Sequence, residues 1–205
     1  QFIVEEFNDG EFCISAFDQY NNESAANCSI ATDLQEFCWT LDHGLNLISY
    51  PTLPIDVSMY NIFSSLTDYI VGVISEGDAA SLLPNGIWVG SLTAIENNRA
   101  YWVKLDLGDP FATQEYCIIG YPVPENLEYT LWEGANLISY LGENNELIEN
   151  ALNDYNDNFI AIIGAANAAY NNSESSWVGS LTTLKKGDGY WVIVNDNFIF
   201  YWTSD

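Results

Sequence analysis

Four cysteines carry the chemistry that this sequence constrains most. They are Cys13, Cys28, Cys38 and Cys117. No two of them are spaced as Cys-x-x-Cys, and the chain holds one histidine, so structural zinc would need every cysteine as a ligand. Two disulfides are therefore the favoured interpretation over a zinc site. They predict an oxidising, extracytoplasmic compartment.

A catalytic centre has few candidate residues. A Ser-His-Asp system could be built only around His43, the single histidine. Neither the glycine-rich dinucleotide motif nor the P-loop motif is present. The carboxylates are numerous enough for a glycosidase-like pair, although sequence spacing cannot locate one. We expect no enzyme, and a hydrolase with buried carboxylates is the alternative.

A calcium site is the only metal site that the carboxylates and amides suggest. Asp154, Asn156 and Asn158 alternate along residues 154–158, which supplies oxygen ligands of the type that Ca²⁺ prefers. The segment lacks the glycine and the distal glutamate of an EF-hand. A solvated helix end is the alternative interpretation, and we predict no other cofactor.

Two aromatic pairs suggest a binding surface. Tyr101-Trp102 and Tyr190-Trp191 lie in predicted strands, where successive side chains point to opposite faces. One ring of each pair should face the core and the other should face outward. The outward rings would form a platform for a glycan or another protein. Core packing with an incidental exposed ring is the alternative.

Composition excludes several partners. The 205 residues include 29 Asp and Glu against four Lys and Arg, for a net charge of −25. Such a chain cannot neutralise a run of phosphates or approach an anionic membrane. With 48% hydrophobic and 15% aromatic residues it is too apolar for a disordered acidic tail. No apolar run is long enough for membrane insertion.

An internal repeat organises the chain. Residues 44–50 (GLNLISY) recur as 134–140 (GANLISY), 88–93 (WVGSLT) recur as 177–182, and 101–103 (YWV) recur as 190–192, each offset by about 90 residues. The repetition predicts a tandem duplication. We assign repeat 1 to residues 37–125 and repeat 2 to residues 126–205. The preceding residues, 1–36, are an N-terminal strand segment that could cap repeat 1 or pair with another molecule. His43 corresponds to Glu133, so the shared scaffold does not require a histidine there.

Each repeat is predicted to contain one helix among strands. Apolar residues with helical spacing occupy 59, 62, 63 and 66 in repeat 1 and 148, 151, 152 and 155 in repeat 2. Asp56 and Asn145 are the predicted N-caps. The predicted strands of repeat 1 cover 37–41, 47–50, 70–74, 88–92, 101–105 and 116–121, with counterparts in repeat 2.

The predicted unit is ββαββββ, in an α+β, β-dominated fold with mainly antiparallel sheets. We expect 37–41 to form a hairpin with 47–50, and 88–92 to pair with 101–105. Residues 164–169 are predicted to form a tight loop. In the N-terminal segment, residues 2–7 and 11–17 are predicted strands around the turn 8–10, followed by a polar loop over 19–27.

The repeat suggests how the cysteines pair. Cys38 lies on the first strand of repeat 1 and Cys117 on its last, so a bridge between them would close the unit if these strands are neighbours. We favour Cys38–Cys117 together with Cys13–Cys28 among the three pairings that four cysteines allow. Repeat 2 has Glu128 in place of Cys38.

The repeated motifs resemble repeats in secreted surface proteins of environmental, largely marine, bacteria. Those repeats usually read Gly-Trp-Asn-Leu-Ile-Ser and end Pro-Gly-Lys-Gly-Tyr-Trp. Here Leu45 and Ala135 stand in place of the tryptophan, and Asn98-Arg99-Ala100 replaces the glycines in repeat 1. The resemblance covers about 160 residues and implies export and a surface role. It implies no catalytic residues.

These observations predict an exported, non-enzymatic structural protein of an extracellular surface layer, filament or sheath. Unpaired sheet edges recruit other strands, so we expect self-association, or association with other surface proteins, through Phe2, Ile3 and Val4 or through Phe198, Ile199 and Phe200. A net charge of −25 opposes this association, which should therefore require salt or divalent cations. A carbohydrate-binding or adhesion module with exposed Trp and Tyr is the alternative.

Overall fold

The protein is a mainly antiparallel β-structure with two short helices. The computed structural model describes residues 2–7, 11–16, 20, 22, 24–25, 27–30, 34–124, 127–172 and 176–202. The chain divides into two compact units, residues 1–34 and residues 35–205, and both sequence repeats lie in the second unit. None of the helices in the described part is long and apolar enough to cross a membrane.

The first unit is a three-stranded antiparallel sheet. Its strands are β1 (Phe2–Phe7), β2 (Glu11–Ala16) and β3 (Asn27–Ile30), in the order β1-β2-β3. The first two match the predicted strands, whereas β3 begins at the end of the segment predicted as a polar loop. The turn predicted at 8–10 lies outside the described residues. The register places Cys13 opposite Cys28, which supports their predicted pairing.

Repeat 1 contains eight strands and one turn of α-helix. Its elements are β4 (Gln35–Asp42), β5 (Gly44–Ser49), β6 (Thr52–Leu53), α1 (Met59–Ile62), a 3-10 helix (Ser64–Leu66), β7 (Ile70–Ile74), β8 (Ala79–Leu82), β9 (Trp88–Gly90), β10 (Ala100–Leu105) and β11 (Thr113–Pro122). Five of these strands form one sheet in the order β5-β10-β7-β8-β9, and three form a second sheet in the order β4-β11-β6.

Repeat 2 has nine described strands, and those of its five-stranded sheet follow the order seen in repeat 1. Its elements are β12 (Tyr129–Leu131), β13 (Gly134–Ser139), β14 (Glu146–Leu147), α2 (Ile148–Leu152), a 3-10 helix (Asn153–Asn158), β15 (Phe159–Ile163), β16 (Ala168–Asn171), β17 (Trp177–Gly179), β18 (Thr183–Leu184), β19 (Gly189–Val194) and β20 (Phe198–Phe200). The five-stranded sheet has the order β13-β19-β15-β16-β17, and β12-β20 and β14-β18 form two-stranded sheets.

The predicted hairpin between the first two strands of repeat 1 is wrong. β4 pairs with β11 and β5 pairs with β10, so the two strands enter different sheets. They diverge because Gly44 has a positive φ of 98° and because the Asn46 side chain bonds both N–H and C=O of Asp42. Asn136 makes the same two bonds to Trp132 in repeat 2.

The predicted pairing of 88–92 with 101–105 is also wrong. β9 pairs with β8, a strand that the sequence analysis missed, and β10 lies between β5 and β7. The counterpart of β8 in repeat 2, β16, overlaps the loop predicted at 164–169. Strands β16 and β17 approach each other closely because both contain small residues: a Cβ on Gly179 of β17 would overlap the carbonyl of Ala168 in β16.

The apolar stripe of the predicted helix is buried as expected, although the α-helix is short. Met59, Ile62, Phe63 and Leu66 are all buried. The N-cap is Ser58, while Asp56 accepts the Ser58 N–H through Oδ1. The cap prediction for Asn145 is wrong as well: α2 begins after Leu147, and Asn145 has a positive φ of 61°.

Each repeat has its own aromatic core, and the two cores are closed differently. In repeat 1 the Cys38–Cys117 disulfide joins β4 to β11, as predicted. In repeat 2 the corresponding strands, β12 and β20, pair over three residues without a disulfide. There Phe200 is fully buried, and Trp202 packs on it and donates from Nε1 to the Ser139 carbonyl.

Removal of this disulfide should destabilise repeat 1. The double variant Cys38→Ala/Cys117→Ala frees a loop whose ends are 79 residues apart, which should lower the free energy of unfolding by about 4 kcal/mol. Urea unfolding followed by tryptophan fluorescence measures the change. Glu128→Ala, at the equivalent exposed position of repeat 2, is the matched control and should cost well under half as much. An unchanged urea midpoint in the double variant would contradict the expectation.

Candidate functional site

The two repeats contact each other through reciprocal exchanges at the open edges of β5 and β13. Ile48 of β5 bridges Asp188, and the Ser49 N–H donates to the Gly187 carbonyl at 2.8 Å. In the opposite direction Ile138 of β13 bridges Arg99, and the Ser139 N–H donates to the Asn98 carbonyl at 3.4 Å. Equivalent residues therefore make equivalent contacts, as in a two-fold interface.

Apolar residues, two of them small, lie at the centre of this interface. Leu47, Ala100 and Leu137 are buried there, with Trp102 and Trp191 packed against them. Gly189, the counterpart of Ala100, faces Ala100 directly: a Cβ at Gly189 would overlap the Ala100 methyl and lie 3.1 Å from Leu47 Cδ1. Because the equivalent positions meet each other, only one of them can carry a methyl group.

The predicted aromatic platform requires correction. Tyr101 and Tyr190 are buried in the two cores, and burial raises the pKa of the Tyr101 hydroxyl to about 12. Trp102 and Trp191 point to the opposite face, as the alternation predicts, but they are half-buried between the two sheets. The four rings therefore form cores and an internal interface rather than an exposed platform.

The larger of two clefts beside this interface, which we call the β4 cleft, has a volume of about 570 Å³. It lies between β4 and β5 where these strands diverge, and turns 164–167 and 185–188 of repeat 2 form its opposite wall. Trp39 Nε1 donates across it to the Gly187 carbonyl at 2.9 Å.

Backbone groups of β4 face this cleft. Cys38 and Cys117 are directly opposite with a Cα–Cα distance of 4.1 Å, which is the close spacing of a non-hydrogen-bonded antiparallel pair. By alternation, the N–H and C=O groups of Glu36, Cys38 and Thr40 therefore point away from β11. In the described part of the chain, β11 is the only strand that pairs with β4.

The smaller cleft is the counterpart in repeat 2 and has a volume of about 400 Å³. It is lined by β12 and β13 and by residues 76–77 and 98–99 of repeat 1. A side chain of repeat 1 reaches across it: the Glu76 carboxylate accepts the outward N–H of Leu137 at 2.8 Å. This bond satisfies a donor on the open edge of β13.

Three of the four basic residues flank these clefts. Arg99, at the smaller cleft, is neutralised by Asp78 at 3.1 Å and Glu96 at 3.7 Å. Hydrogen bonds from Ser91 and then from Arg99 hold the pKa of Asp78 below its usual value. At the β4 cleft, Lys185 is exposed and Lys186 half-buried, and no carboxylate of the described residues lies within ion-pair distance of either.

The other predicted site residues are not gathered into one place. His43 Nδ1 accepts the Leu107 N–H at 3.1 Å and lies 3.8 Å from Asp106, so the histidine holds a turn. Asp154, Asn156 and Asn158 lie on a 3-10 helix, where Asn156 Oδ1 already accepts from Trp177 Nε1. A calcium site there stays a prediction. Glu36 is close to Cys38 and Cys117, but those sulfurs form the disulfide and cannot act as thiolate ligands.

The two predicted assembly strands differ. Phe198, Ile199 and Phe200 form β20, which already pairs with β12, and Phe200 belongs to the core of repeat 2. This segment therefore completes a sheet of its own repeat. Phe2, Ile3 and Val4 lie in β1, which pairs on one edge with β2 and is the outer strand of the described sheet.

Sequence analysis missed the β4 cleft, although the aligned repeats hold the signal for it. Glu96 and Asn97 of repeat 1 correspond to Lys185 and Lys186 of repeat 2, and Glu76 corresponds to Ala165. Between repeat 1 and repeat 2, the first difference reverses a charge, the second adds a positive charge and the third removes a negative charge. Their location beside the open edges of β4 and β5 follows from the sheet order, which the sequence did not predict.

Comparison of the chain with protein-family models, with curated protein sequences and with solved structures gives no match.

The centre of the repeat interface can be tested by exchanging its two small residues. Gly189→Ala should lower the free energy of unfolding by about 1–3 kcal/mol, because the new methyl overlaps Ala100. Ala100→Gly alone should cost about 1 kcal/mol. The double variant Ala100→Gly/Gly189→Ala should recover most of the loss, because the methyl group then occupies the space that Ala100 vacates. Strictly additive costs in urea unfolding would contradict the reciprocal packing.

Asp188 gives the interface a pH dependence. Burial raises the pKa of its carboxyl above the usual value, with Lys185 opposing the shift. The folded state therefore holds this proton more tightly than the unfolded state, and stability falls as pH rises from about 4 through the raised pKa. Asp188→Asn should stabilise the protein at pH 7 and lose that advantage at about pH 3. Urea midpoints at both pH values measure the effect, and the exposed Asp68→Asn serves as the control.

Proposed function

We propose that this protein is an exported extracellular structural protein, a subunit or module of a surface layer, filament or sheath. In this proposal copies associate through open sheet edges. We also propose that repeats 1 and 2 are tandem copies of one ancestral unit. The matching strand orders of the two five-stranded sheets and the reciprocal contacts between the repeats support this origin.

The open edge of β4 is the observation that carries the proposal. Eight residues, Gln35–Asp42, pair on one side with β11, and no other described strand covers the opposite side. Soluble proteins blunt such edges with lysine, proline or bulges. β4 contains no Lys, Arg or Pro, and its register with β11 runs without interruption from Gln35 to Asp42. An edge of this kind is suited to pairing with another chain.

Exposed apolar side chains on both five-stranded sheets provide further support. Ile74 and Val89 are about half exposed in repeat 1, and Ile163, Tyr170 and Val178 are similarly exposed in repeat 2. Exposed apolar patches commonly mark contact surfaces. Disulfide bonding and the resemblance of the repeat motifs to secreted surface proteins agree with an extracellular assembly.

The charge of the chain sets a condition for assembly. With a net charge of −25, copies repel each other at low ionic strength. Salt screens this repulsion over a Debye length of about 8–10 Å at 0.10–0.15 M, and divalent cations neutralise carboxylates directly. We therefore propose that association occurs in salt or in the presence of divalent cations.

A carbohydrate-binding module is the second candidate, and one residue favours it. Trp132 is 63% exposed and lines the smaller cleft beside Asn98 and Arg99, an arrangement that suits stacking on a sugar ring. Binding on a glycan array that is lost in Trp132→Ala, in a protein that stays monomeric in salt, would favour this function over assembly.

A proline on the open edge should block association while the fold is retained. The Thr40 N–H points away from β11, so Thr40→Pro removes a donor from the open edge without breaking the β4–β11 ladder. Electron microscopy and light scattering in about 0.5 M NaCl should show assemblies with wild type and with the Thr40→Ala control. They should show monomers with Thr40→Pro. Equal assembly of the proline variant, with an unchanged circular dichroism spectrum, would refute edge pairing through β4.

A further inference from the structure

The two clefts beside the repeat interface differ in one decisive side chain. At the smaller cleft, Glu76 of repeat 1 places its carboxylate on the outward N–H of Leu137 in β13. At the β4 cleft the corresponding strand residue is Leu47, which lies opposite Trp102 as Leu137 lies opposite Trp191. The Leu47 N–H therefore also points to the open edge. The residue that corresponds to Glu76 in repeat 2 is Ala165, which lines the β4 cleft and has no carboxylate.

The basic side chains at the β4 cleft can attract an incoming carboxylate. Lys185 and Lys186 line this cleft, and they correspond in the aligned repeats to Glu96 and Asn97, which are not among the residues that line the smaller cleft. Arg99 is neutralised by Asp78 and Glu96, whereas no carboxylate of the described residues lies within ion-pair distance of either lysine. Asp42 and Asp188 also line this cleft, and Lys185 interacts electrostatically with Asp188. Half of the chain's four basic residues therefore lie at this cleft, beside two of its 29 acidic residues.

The backbone of β4 and β5 adds further donors and acceptors. The outward N–H and C=O groups of Cys38 and Thr40 face the cleft from one side, and those of Leu47 face it from the other. An extended peptide can bond such groups along its length, whereas a free carboxylate can bond only one or two of them. The cleft therefore suits an extended acidic segment better than a small anion.

We propose that the β4 cleft is an acceptor site for an extended acidic segment of a second copy of this chain. One carboxylate of that segment takes the place beside the Leu47 N–H that Glu76 takes beside Leu137. This inference rests on the proposed assembly function and names the contact that the assembly uses.

The strand β1 is the occupant that the sequence and topology favour. Its sequence, FIVEEF, carries two adjacent glutamates among apolar residues and no basic residue. Successive side chains of a strand point to opposite faces, so one of Glu5 and Glu6 can face the cleft in either orientation of the bound strand. β1 is the outer strand of its own described sheet, so its second edge can pair with β4 while its first remains paired with β2.

A labelled peptide tests the site directly. The probe is a fluorescein-labelled peptide with the sequence of residues 1–10, titrated into the full chain at moderate salt and followed by fluorescence anisotropy. Saturable binding is expected. Ala165→Glu should weaken it by about tenfold or more, because the new carboxylate occupies the Leu47 N–H as Glu76 occupies that of Leu137. Lys185→Gln/Lys186→Gln and a peptide with both glutamates replaced by glutamine should weaken it by a similar factor.

Matched controls separate occupation of the cleft from loss of the fold. Glu76→Gln alters the smaller cleft and should leave peptide binding unchanged. Ala165→Gln adds the same bulk as glutamate without the charge and should weaken binding less than Ala165→Glu. Each variant must retain the wild-type circular dichroism spectrum and urea midpoint within about 1 kcal/mol for its affinity to count.

Assembly is scored separately by electron microscopy. Absence of peptide binding to wild type, or equal binding to wild type and Ala165→Glu, overturns the inference. Wild-type assemblies that also form with Ala165→Glu overturn the inference while the proposed function stands. Peptide binding with the expected dependence on Ala165 and the lysines, in a protein that never assembles, supports the cleft as an acidic-peptide site and refutes the proposed assembly.

Discussion

The reciprocal contact between two strand edges and two turns is the interaction on which the rest of this structure depends. In each repeat the strand after the Gly44 or Gly134 turn exposes outward N–H groups. The turn before β10 or β19 of the opposite repeat satisfies one of them, through the carbonyl of Asn98 or Gly187. These bonds bury the centre formed by Leu47, Ala100 and Leu137. They join the two aromatic cores within one compact unit, residues 35–205.

In a two-fold interface, equivalent residues near the axis pack against each other. Two repeats that differ in sequence can place different residues at such positions. In a strict homodimer, residues equivalent to Ala100 and Gly189 would be identical, and alanine at both positions would make two methyl groups overlap at the centre. A covalently joined pair can place alanine on one side and glycine on the other. The same freedom allows Glu76 to accept the Leu137 N–H at one cleft while its counterpart at the other cleft, Ala165, has no carboxylate. Joining the halves in one chain therefore permits one cleft to be structural and its counterpart to bind a ligand.

Sequence alone predicted which segments are strands better than which strands pair. The apolar runs Ile70–Ile74 and Phe159–Ile163 and the stripe from Met59 to Leu66 are local patterns. The stripe is buried as expected, whereas each run forms a strand with one buried and one exposed face. The Cys38–Cys117 bridge followed from the ends of one repeat. Pairing depends on non-local geometry, and the β4–β5 hairpin failed because the Asn46 side chain and the positive φ of Gly44 direct the chain into a second sheet. The sequence did not predict the alanine-rich strands β8 and β16, because small residues give little periodic signal in hydrophobicity. The β4 cleft could not be predicted, because its lysines come together only with the strand pairing that the structure shows.

The charge distribution is compatible with the self-association that we propose for this acidic protein. A uniform distribution of 29 carboxylates over the surface would oppose every contact between copies. Here Lys185 and Lys186 are concentrated at one cleft, and Arg99 is neutralised at the other. Long-range repulsion is screened by salt, whereas a carboxylate held between two lysines and a backbone N–H lies partly out of solvent and is screened much less. In the proposed assembly, the same salt that permits approach would therefore leave the local attraction largely intact, which would favour specific edge pairing over non-specific aggregation.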